Sequence, residues 1–253
     1  TVADPTSGMP TNTRFDVLYG GNSVDLVLTP DDLSTFAAAY GIQNMENAAD
    51  AFDGIRPAQG TNGTTDKDKF FNGLYGLTAS ETSLALLQSS GEIHALALSD
   101  ARDGWQAGLS TVRLASADAD RYFWVNVSGA DLTVDQDAIG SSYDSISRNL
   151  WVGVDAYKET SYTAGIAVGV SSSDVKTLNS GSSETDTVSL AAYLKGKYGA
   201  FEYDGIVSIN RSEIDTTRTV GLSTGTLANT SSSTARGAAL SARVGYRYDI
   251  LPA

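Results

Sequence analysis

Few residues of this chain could do chemistry, and the first candidates are an acidic residue and the only histidine. Glu92 and His94 stand in the stretch LALLQSSGEIHALAL (84–98), directly after Ser90 and Gly91. A glutamate and a histidine beside a Ser-Gly pair could be the start of an active site. The same residues are also typical of plain packing on an apolar helix, so the residues alone leave both interpretations open.

A second candidate is the segment GLSTG (221–225), which matches the G-x-S-x-G pattern of a nucleophile elbow. That motif requires a preceding strand, a following helix and a histidine further along the chain. Ser223 instead lies in a Ser/Thr-rich segment, and the only histidine precedes it. A chance match is therefore favoured.

Metal chemistry has little support in the sequence. The aspartates near the middle of the chain do not follow the D-x-[DN]-x-[DN]-G order of a calcium loop: Asp118, Asp120, Asp131, Asp135 and Asp137. One histidine and no cysteine argue against a transition-metal site. The sequence thus predicts no metal, no cofactor and no enzymatic activity.

The composition of the chain excludes some classes of binding partner and of membrane-spanning segment. The 253 residues include 17 Lys and Arg against 30 Asp and Glu, a net charge of −13, so phosphate backbones are repelled and no nucleic-acid partner is expected. The absence of cysteine excludes a disulfide framework. No stretch approaches the ~18 consecutive apolar residues of a transmembrane helix. If the chain spans a membrane, it must do so with strands.

The candidate Glu92–His94 pair lies on a predicted helix. Thr78 and Glu81 match the [ST]-x-x-E capping box, which indicates a helix start, and we predict one helix over 79–101. Apolar residues cover most of its circumference. This distribution is expected for a helix that is surrounded by protein.

From Tyr122 onwards apolar residues recur at every second position. Six strands are predicted, at 122–129, 150–156, 162–171, 188–197, 201–210 and 237–248. One face of each strand carries almost no charge, the other mixes small, polar and charged residues, and aromatic residues lie near the strand ends. Strands of this kind are typical of a transmembrane antiparallel β-barrel. A soluble β-sandwich is the alternative, because its strands also alternate.

The predicted connections differ in length. Residues 158–161 and 198–199 are predicted as tight turns, whereas 171–186 and 215–234 are predicted as long Ser/Thr/Gly-rich loops. Short turns on one rim and longer loops on the other are typical of outer-membrane barrels. The connection lengths therefore favour the membrane barrel.

Several of these segments, in this order, resemble the C-terminal part of bacterial autotransporters, the type V self-exporting proteins. The linker-helix motif of that family is similar to the run Ser90, Gly91, Glu92, Ile93, His94 and Ala95. The other similar segments are FDVLYGGNSVDLVLTP (15–30), LWVGVDAYKETSYTAGIAVGVSSSDV (150–175) and SLAAYLKGKYGAFEYDGIVSINRSEID (189–215). The resemblance extends over nearly the whole chain.

The resemblance implies a mainly β protein, an outer-membrane barrel of twelve strands with a preceding helical linker that runs through the pore. Residues 1–30 would end a passenger β-helix, 31–118 would be the helical linker with the pore helix at 79–101, and 119–253 would begin the barrel. The implied role is export and anchoring of the passenger, which lies at the cell surface. The implied partners are outer-membrane lipids, the chain's own passenger, the barrel assembly machinery and periplasmic chaperones.

Under this resemblance the polar face of the strands would line the pore. The residues expected there are Tyr193, Lys195, Lys197, Glu202, Asp204, Arg243 and Arg247. Its glycines and alanines would leave room for the helix, and its basic residues could pair with Glu92 or Asp100. The sequence itself does not show this pairing.

The sequence departs from the family in strand number. About six strands are half of the twelve in the family, and the chain ends at Ala253 rather than at an aromatic residue. We therefore expect a truncated family member. We expect a translocator; the alternative is a surface adhesin whose barrel is only a membrane anchor, and a soluble β-rich domain is a third hypothesis.

Overall fold

The computed structural model of the chain describes residues 12–19, 22–59, 63–115, 122–178 and 181–248. Within these residues the chain forms, in order, a β-hairpin, four short helices, one long helix and a six-stranded antiparallel sheet. No helix of this described part is both long and apolar enough to cross a membrane.

The N-terminal hairpin consists of β1 (Thr13–Tyr19) and β2 (Val24–Pro30). The strands pair antiparallel, with Thr13 opposite Pro30. They therefore do not form the β-helix rungs predicted over 15–30, in which neighbouring strands pair parallel. A connection as short as 20–23 permits only the antiparallel arrangement, since a parallel return needs a dozen or more residues. Residues 1–11, also assigned to the passenger end, lie outside the described residues.

A buried ion network joins this hairpin to the helices. Asp16 is fully buried and binds Arg14 Nη2 at 2.7 Å and Arg56 Nη2 at 2.9 Å. The Thr29 hydroxyl donates to the same carboxylate at 2.6 Å. Burial alone would raise the pKa of Asp16, but hydrogen bonds from Arg14 and Thr29 and the charge of Arg56 outweigh burial and lower it. The hairpin is thus held on the helices by a charge that stays ionised.

Four short helices follow, and we call them the helical cluster: α1 (Leu33–Ala38), α2 (Gln43–Asp53), α3 (Asp66–Tyr75) and α4 (Ala79–Ser89). Their apolar sides share one core, which includes Leu33, Met45, Phe71, Leu74 and Leu86. The predicted capping box at the start of α4 is confirmed. The Thr78 hydroxyl accepts from the Glu81 amide, while the Glu81 carboxylate accepts from the Thr78 amide at 2.8 Å.

The prediction of one helix over 79–101 is wrong. α4 ends at Ser89, and a new helix, α5 (Glu92–Ala115), begins three residues later. Gly91 separates them with a φ of +72°, a left-handed conformation that glycine adopts without a Cβ penalty. α4 belongs to the helical cluster, and α5 is the helix that lies on the sheet.

Six strands form one antiparallel meander in chain order, as predicted: β3 (Phe123–Val134), β4 (Tyr143–Lys158), β5 (Tyr162–Thr177), β6 (Gly181–Tyr198), β7 (Phe201–Leu222) and β8 (Gly225–Tyr246). The sheet is open, with β3 and β8 at its edges. The predicted long loops at 171–186 and 215–234 are wrong, because their serines and threonines continue the strands. Threonine is β-branched and suits a strand, so polarity alone does not indicate a loop.

The two ends of the sheet differ. One end, which we call the loop end, carries the segment 135–142, the β5–β6 connection and the β7–β8 turn at 223–224. The opposite end, the turn end, carries the short connections 159–161 and 199–200. α5 begins near the loop end and finishes near the turn end, as its side-chain contacts show below.

Candidate functional site

The inner face of the sheet is the side that α5 covers. We define it by the buried side chains Trp124, Trp151, Ala167, Ala191, Tyr193 and Ile206. α5 contacts strands β3 to β7 on this side and contributes Trp105, Leu109 and Val112 to the same core. The contact between α5 and the inner face is therefore extensive and partly apolar.

Small residues on both elements allow this close approach. A Cβ on Gly108 of α5 would come within 2.8 Å of the Trp151 ring. A Cβ on Gly237 of β8 would come within 2.9 Å of the Trp105 ring. On the sheet itself, Gly153 lies beneath Trp124 and Gly169 beneath Trp151. Aromatic rings of the sheet and of the helix thus pack against these glycines.

The sequence-predicted linker motif does not assemble an acid–base pair. Ile93 is buried and His94 is exposed, whereas the Glu92 carboxylate accepts from the amide and hydroxyl of Ser141 at 3.0 and 2.8 Å. The Ser90 hydroxyl accepts from the Glu92 amide at 3.4 Å. Glu92 therefore ties the start of α5 to the 135–142 segment, and it does not contact His94 in any bond that the structure records.

A second acidic residue of α5 also binds the sheet. The Ser145 hydroxyl of β4 donates to Asp100 Oδ1. Asp100 Oδ2 is buried without a hydrogen-bond partner among the described residues. Glu92 and Asp100 thus bind serines, and the expectation that basic residues of the inner face pair with them is wrong. Lys197, Arg243 and Arg247 instead pair with Glu202 and Asp204 of the sheet itself.

All seven predicted pore-facing residues lie on the helix side of the sheet or at its margin. Alternation and register place Tyr193, Lys195, Lys197, Glu202, Asp204 and Arg243 there, while Arg247 follows β8 directly. Among them, Asp204 is buried and forms two ion pairs, with Arg113 Nε and Arg243 Nε, each at 2.7 Å. Arg113 also donates to the Ser241 hydroxyl at 2.7 Å. Asp204 therefore ties the end of α5 to β7 and β8.

Two more groups of polar contacts lie near the turn end. Glu202 pairs with Arg247 at 2.7 Å and with Lys197 at 3.3 Å, on side chains that are largely exposed. Deeper on the inner face, the Tyr193 hydroxyl donates to Asp155 at 2.6 Å and accepts from the Trp124 indole at 3.0 Å. Glu202 thus pairs with basic residues beside it at the turn end, whereas Asp155 binds a tyrosine hydroxyl of β6 on the inner face.

Sequence reasoning missed Arg113, Ser141 and Asp155, which complete these contacts. Alternation places Asp155 on the polar face of a predicted strand, with Trp151 and Gly153, but it does not show that Asp155 binds Tyr193. Arg113 lay beyond the predicted end of the helix, and Ser141 lay in a segment for which no structure was predicted. No sequence signal indicated their partners.

Several polar side chains between α5 and the sheet are buried without a hydrogen-bond partner among the described residues. They include Trp105 Nε1, Asn126 Oδ1, Asn149 Oδ1, Ser208 Oγ and Asn210 Oδ1. Buried polar groups normally have a partner, often ordered water. This surface therefore resembles a hydrated contact more than a dry protein core.

The other sequence candidates do not form catalytic sites. Ser223 lies in the β7–β8 turn, followed by a strand rather than a helix, and its hydroxyl donates to the Gly73 carbonyl at 2.8 Å. Asp131, Asp135 and Asp137 are exposed, and Asp118 and Asp120 lie outside the described residues. Hydrogen bonds from the Gly140 and Ile139 amides lower the pKa of Asp137. Within the described part of the chain, no cluster of His, Cys, Asp or Glu side chains could hold a metal ion.

The outer face of the sheet is apolar and exposed. One cross-strand row runs through paired residues of five strands, Val125, Val152, Val168, Leu190 and Ile209. Val168 is 50% exposed and Leu190 is 48% exposed. Towards the turn end this surface finishes in aromatic residues: Tyr157, Tyr162, Tyr198, Phe201 and Tyr246.

The height of this apolar surface agrees with a bilayer. From Val188 to Tyr198 of β6 there are ten residue steps. They span about 33 Å along the strand at ~3.3 Å per residue. At the usual tilt of about 40° this length corresponds to ~25 Å, the height of the apolar band on outer-membrane barrels.

Comparison with known proteins agrees with this geometry. A family model described as autotransporter beta-domain matches residues 123–252, just over half of the chain. The match begins at the first residue of β3 and covers all six strands of the sheet. No curated protein matches the sequence.

Proposed function

Because this chain belongs to the autotransporter β-domain family, outer-membrane β-barrels that anchor a surface-exposed passenger, we propose that it exports and holds a passenger through a barrel plugged by α5. Residues 123–248 supply strands of the barrel wall. Residues 12–89 lie on the passenger side, with 1–30 as the passenger's end. α5 connects the two across the membrane.

The observation that carries this proposal is the contrast between the two faces of one sheet. The inner face mixes aromatic, small, polar and charged side chains and is covered by α5, whereas the outer face exposes the apolar row from Val125 to Ile209 to the outside. In a soluble β-sandwich a second sheet would cover that apolar row. No second sheet lies on it in the described ranges of the chain. Lipid is the solvent that suits such a surface.

The contacts of α5 support a plug that forms after the passenger has crossed. Polar anchors fix each end, Glu92 to Ser141 at the loop end and Arg113 to Asp204 at the turn end. Between them, polar side chains without protein partners favour a hydrated surface. A passenger chain slides along these hydrated positions before α5 docks and packs its apolar side chains on the inner face.

The orientation follows from the family's direction of export. The loop end faces the cell exterior and the turn end faces the periplasm, as is usual for outer-membrane barrels. The hairpin and the helical cluster then lie outside the cell. Barrel strands of this kind would be inserted by the barrel assembly machinery after delivery by periplasmic chaperones, and they would contact outer-membrane lipids.

Cell fractionation with surface labelling tests the proposal. The full-length protein, with an epitope N-terminal to residue 12, is expressed in a Gram-negative host. We expect it in the outer membrane, extractable only with detergent and shifted in gel mobility when unheated. The epitope should react with antibody on intact cells. Recovery in the soluble periplasm, or an epitope that reacts only after lysis, would contradict export.

A further inference from the structure

The β7–β8 hairpin extends past the rest of the sheet at the loop end. Gly181, the first residue of β6, pairs with Arg218 of β7. β7 and β8 continue to pair beyond that point, up to Leu222 opposite Gly225. We call residues 218–224 the hairpin tip. The tip therefore projects from the loop end towards the helical cluster.

An apolar side chain of the tip is part of the core of the helical cluster. Val220 is 4% exposed and packs in the same core as Leu74 and Leu86. Leu222 packs against this core from its edge. On the neighbouring strand Leu227, which pairs with Val220 and lies on the same face of the hairpin, is 52% exposed. The insertion into the core is thus made by β7 and not by the paired position of β8.

Hydrogen bonds surround this apolar contact. The Ser223 amide and hydroxyl both donate to the Gly73 carbonyl, at 2.9 and 2.8 Å. The Gly221 amide donates to Gln88 Oε1 at 2.8 Å, and Arg218 Nη1 donates to the Ser89 carbonyl at 3.3 Å. The tip therefore binds both α3 and α4, the two helices that precede α5.

The facing surface of α3 is shaped for the tip. A Cβ on Gly73 would lie 2.9 Å from the Leu222 Cβ and from the Thr224 hydroxyl. A Cβ on Gly76 would lie 2.8 Å from the Ser223 Cβ. A real Cβ atom essentially never lies within 3.0 Å of another heavy atom, so any residue larger than glycine at either position would shift the tip outwards.

The helical cluster is also fixed at the opposite edge of the sheet. The first amides of α2, on Gln43 and Asn44, donate to the carbonyls of Ala138 and Ile139 at 2.9 and 3.0 Å. These carbonyls lie in segment 135–142 between β3 and β4. The cluster thus connects the first and the last hairpin of the sheet, and bridges the loop end above the start of α5.

We propose that the helical cluster is a lid, closed by the hairpin tip, that covers the outer mouth of the barrel independently of the α5 plug. This inference rests on the proposed function, because a lid requires a pore. Closure depends on Val220 in the cluster core and on the bonds from Ser223 and Gly221. Release of the tip leaves α5 in place but exposes the channel beside it to small ions.

Ion conductance of the full-length protein in planar bilayers tests the lid. Val220→Asp places a charge in the cluster core and should open the lid, raising the conductance beside α5 by about tenfold. Leu227→Asp makes the same change on an exposed neighbour and should leave conductance unchanged. Equal conductance of the two variants would overturn the lid. A variant lacking residues 92–115 serves as the control for the pore, and a non-conducting form of it would instead contradict the proposed function.

A cysteine pair keeps the test valid if Val220→Asp fails to fold. The natural chain has no cysteine, so Gly76→Cys with Ser223→Cys introduces one possible disulfide. A small outward shift of the tip brings their Cβ atoms to the ~3.8 Å that a disulfide requires. Oxidation should abolish residual opening events, and a reductant should restore them. Events that persist at the same frequency in the oxidised form would contradict the lid.

Discussion

At the scale of single residues, Asp204 is the charge on which the end of α5 depends. Its two oxygens each accept one arginine Nε at 2.7 Å, from Arg113 on the helix and Arg243 on β8. The carboxylate is 6% exposed, so water can replace little of this pairing. A charge removed from such a site leaves the partner arginine without compensation.

We therefore expect Asp204→Asn to destabilise the folded barrel by about 2 kcal/mol. This loss is smaller than the loss on breaking a fully buried ion pair, because Arg243 is largely exposed. The measurement is the temperature at which the compact gel band is lost. Glu202→Gln is the matched control, because its ion pairs with Arg247 and Lys197 are exposed and contribute at most about 1 kcal/mol. A larger effect of Glu202→Gln would contradict this assignment.

The buried Asp16 makes the junction between hairpin and helical cluster sensitive to pH. Its pKa in the folded protein lies below the ordinary 3.8. A lowered carboxyl pKa stabilises the fold above the ordinary value, and this contribution is lost as pH falls through the folded pKa. Asp16→Asn should thus lose about 3 kcal/mol at neutral pH, and this difference from the natural protein should shrink towards zero in acid.

Thermal unfolding followed by circular dichroism at several pH values measures that difference directly. Asp25→Asn, an exposed aspartate on the same hairpin, is the control and should show little effect at any pH. A difference for Asp16→Asn that stays constant from neutral to acid pH would contradict the role of its ionised form.

The sequence indicates which side chains share the inner face but not which of them meet. Alternation alone places Asp204 and Arg243 there. Their pairing depends on the β7–β8 register, which the turn at 223–224 determines. Because that turn was predicted to lie within a long loop, the pairing register of β7 and β8 could not be predicted from the sequence. Glu92 and Ser141 likewise meet through a segment that has no periodic pattern.

At the scale of secondary structure elements, two glycines of α5 have opposite surroundings. A Cβ at Gly108 would overlap the Trp151 ring, whereas a Cβ at Gly104 meets nothing within 4 Å. Alanine is favoured over glycine inside a helix by about 1 kcal/mol. Substitutions at these two positions therefore distinguish an effect on helix propensity from an effect on the packing of α5 against the sheet.

Gly104→Ala should stabilise α5 by up to ~1 kcal/mol, whereas Gly108→Ala should loosen it from the sheet despite the same gain in propensity. Hydrogen exchange of α5 amides measures both effects, with slower exchange expected for the first variant and faster exchange for the second. Similar protection in the two variants would show that α5 does not pack against Trp151.

The lengths of the elements could be predicted only in part. The Ser90–Gly91 pair is a recognisable helix end, since glycine after a serine cap often adopts a positive φ. The apolar residues on both sides nevertheless suggested one continuous helix. In the strands, apolar alternation marked the part that faces lipid, while serine and threonine continued the same strands beyond it. Hydrophobic patterning therefore detects the apolar band and not the full strand.

At the scale of the whole molecule, the protein combines a membrane sheet, a helix on its inner face and a helical cluster at its loop end. The six strands and their two faces could be predicted because apolar residues recur at every second position. The family could be predicted from short local motifs. The helical cluster could not be placed from sequence, because its contact with the hairpin tip joins residues about 150 positions apart, such as Gly73 and Ser223. Contacts of that range leave no local pattern.

Neighbouring residues of β6 provide the most direct test of the central claim, a membrane barrel with α5 against its inner wall. Leu190 is 48% exposed on the outer face, and Ala191 is 1% exposed beneath α5. Single cysteines at these positions, Leu190→Cys and Ala191→Cys, are compared in outer membranes with a water-soluble maleimide and a fluorophore that lipid-borne quenchers reach. We predict lipid quenching at 190 only, and maleimide labelling at 191 only after removal of residues 92–115. Rapid maleimide labelling at 190 without lipid quenching would contradict the account.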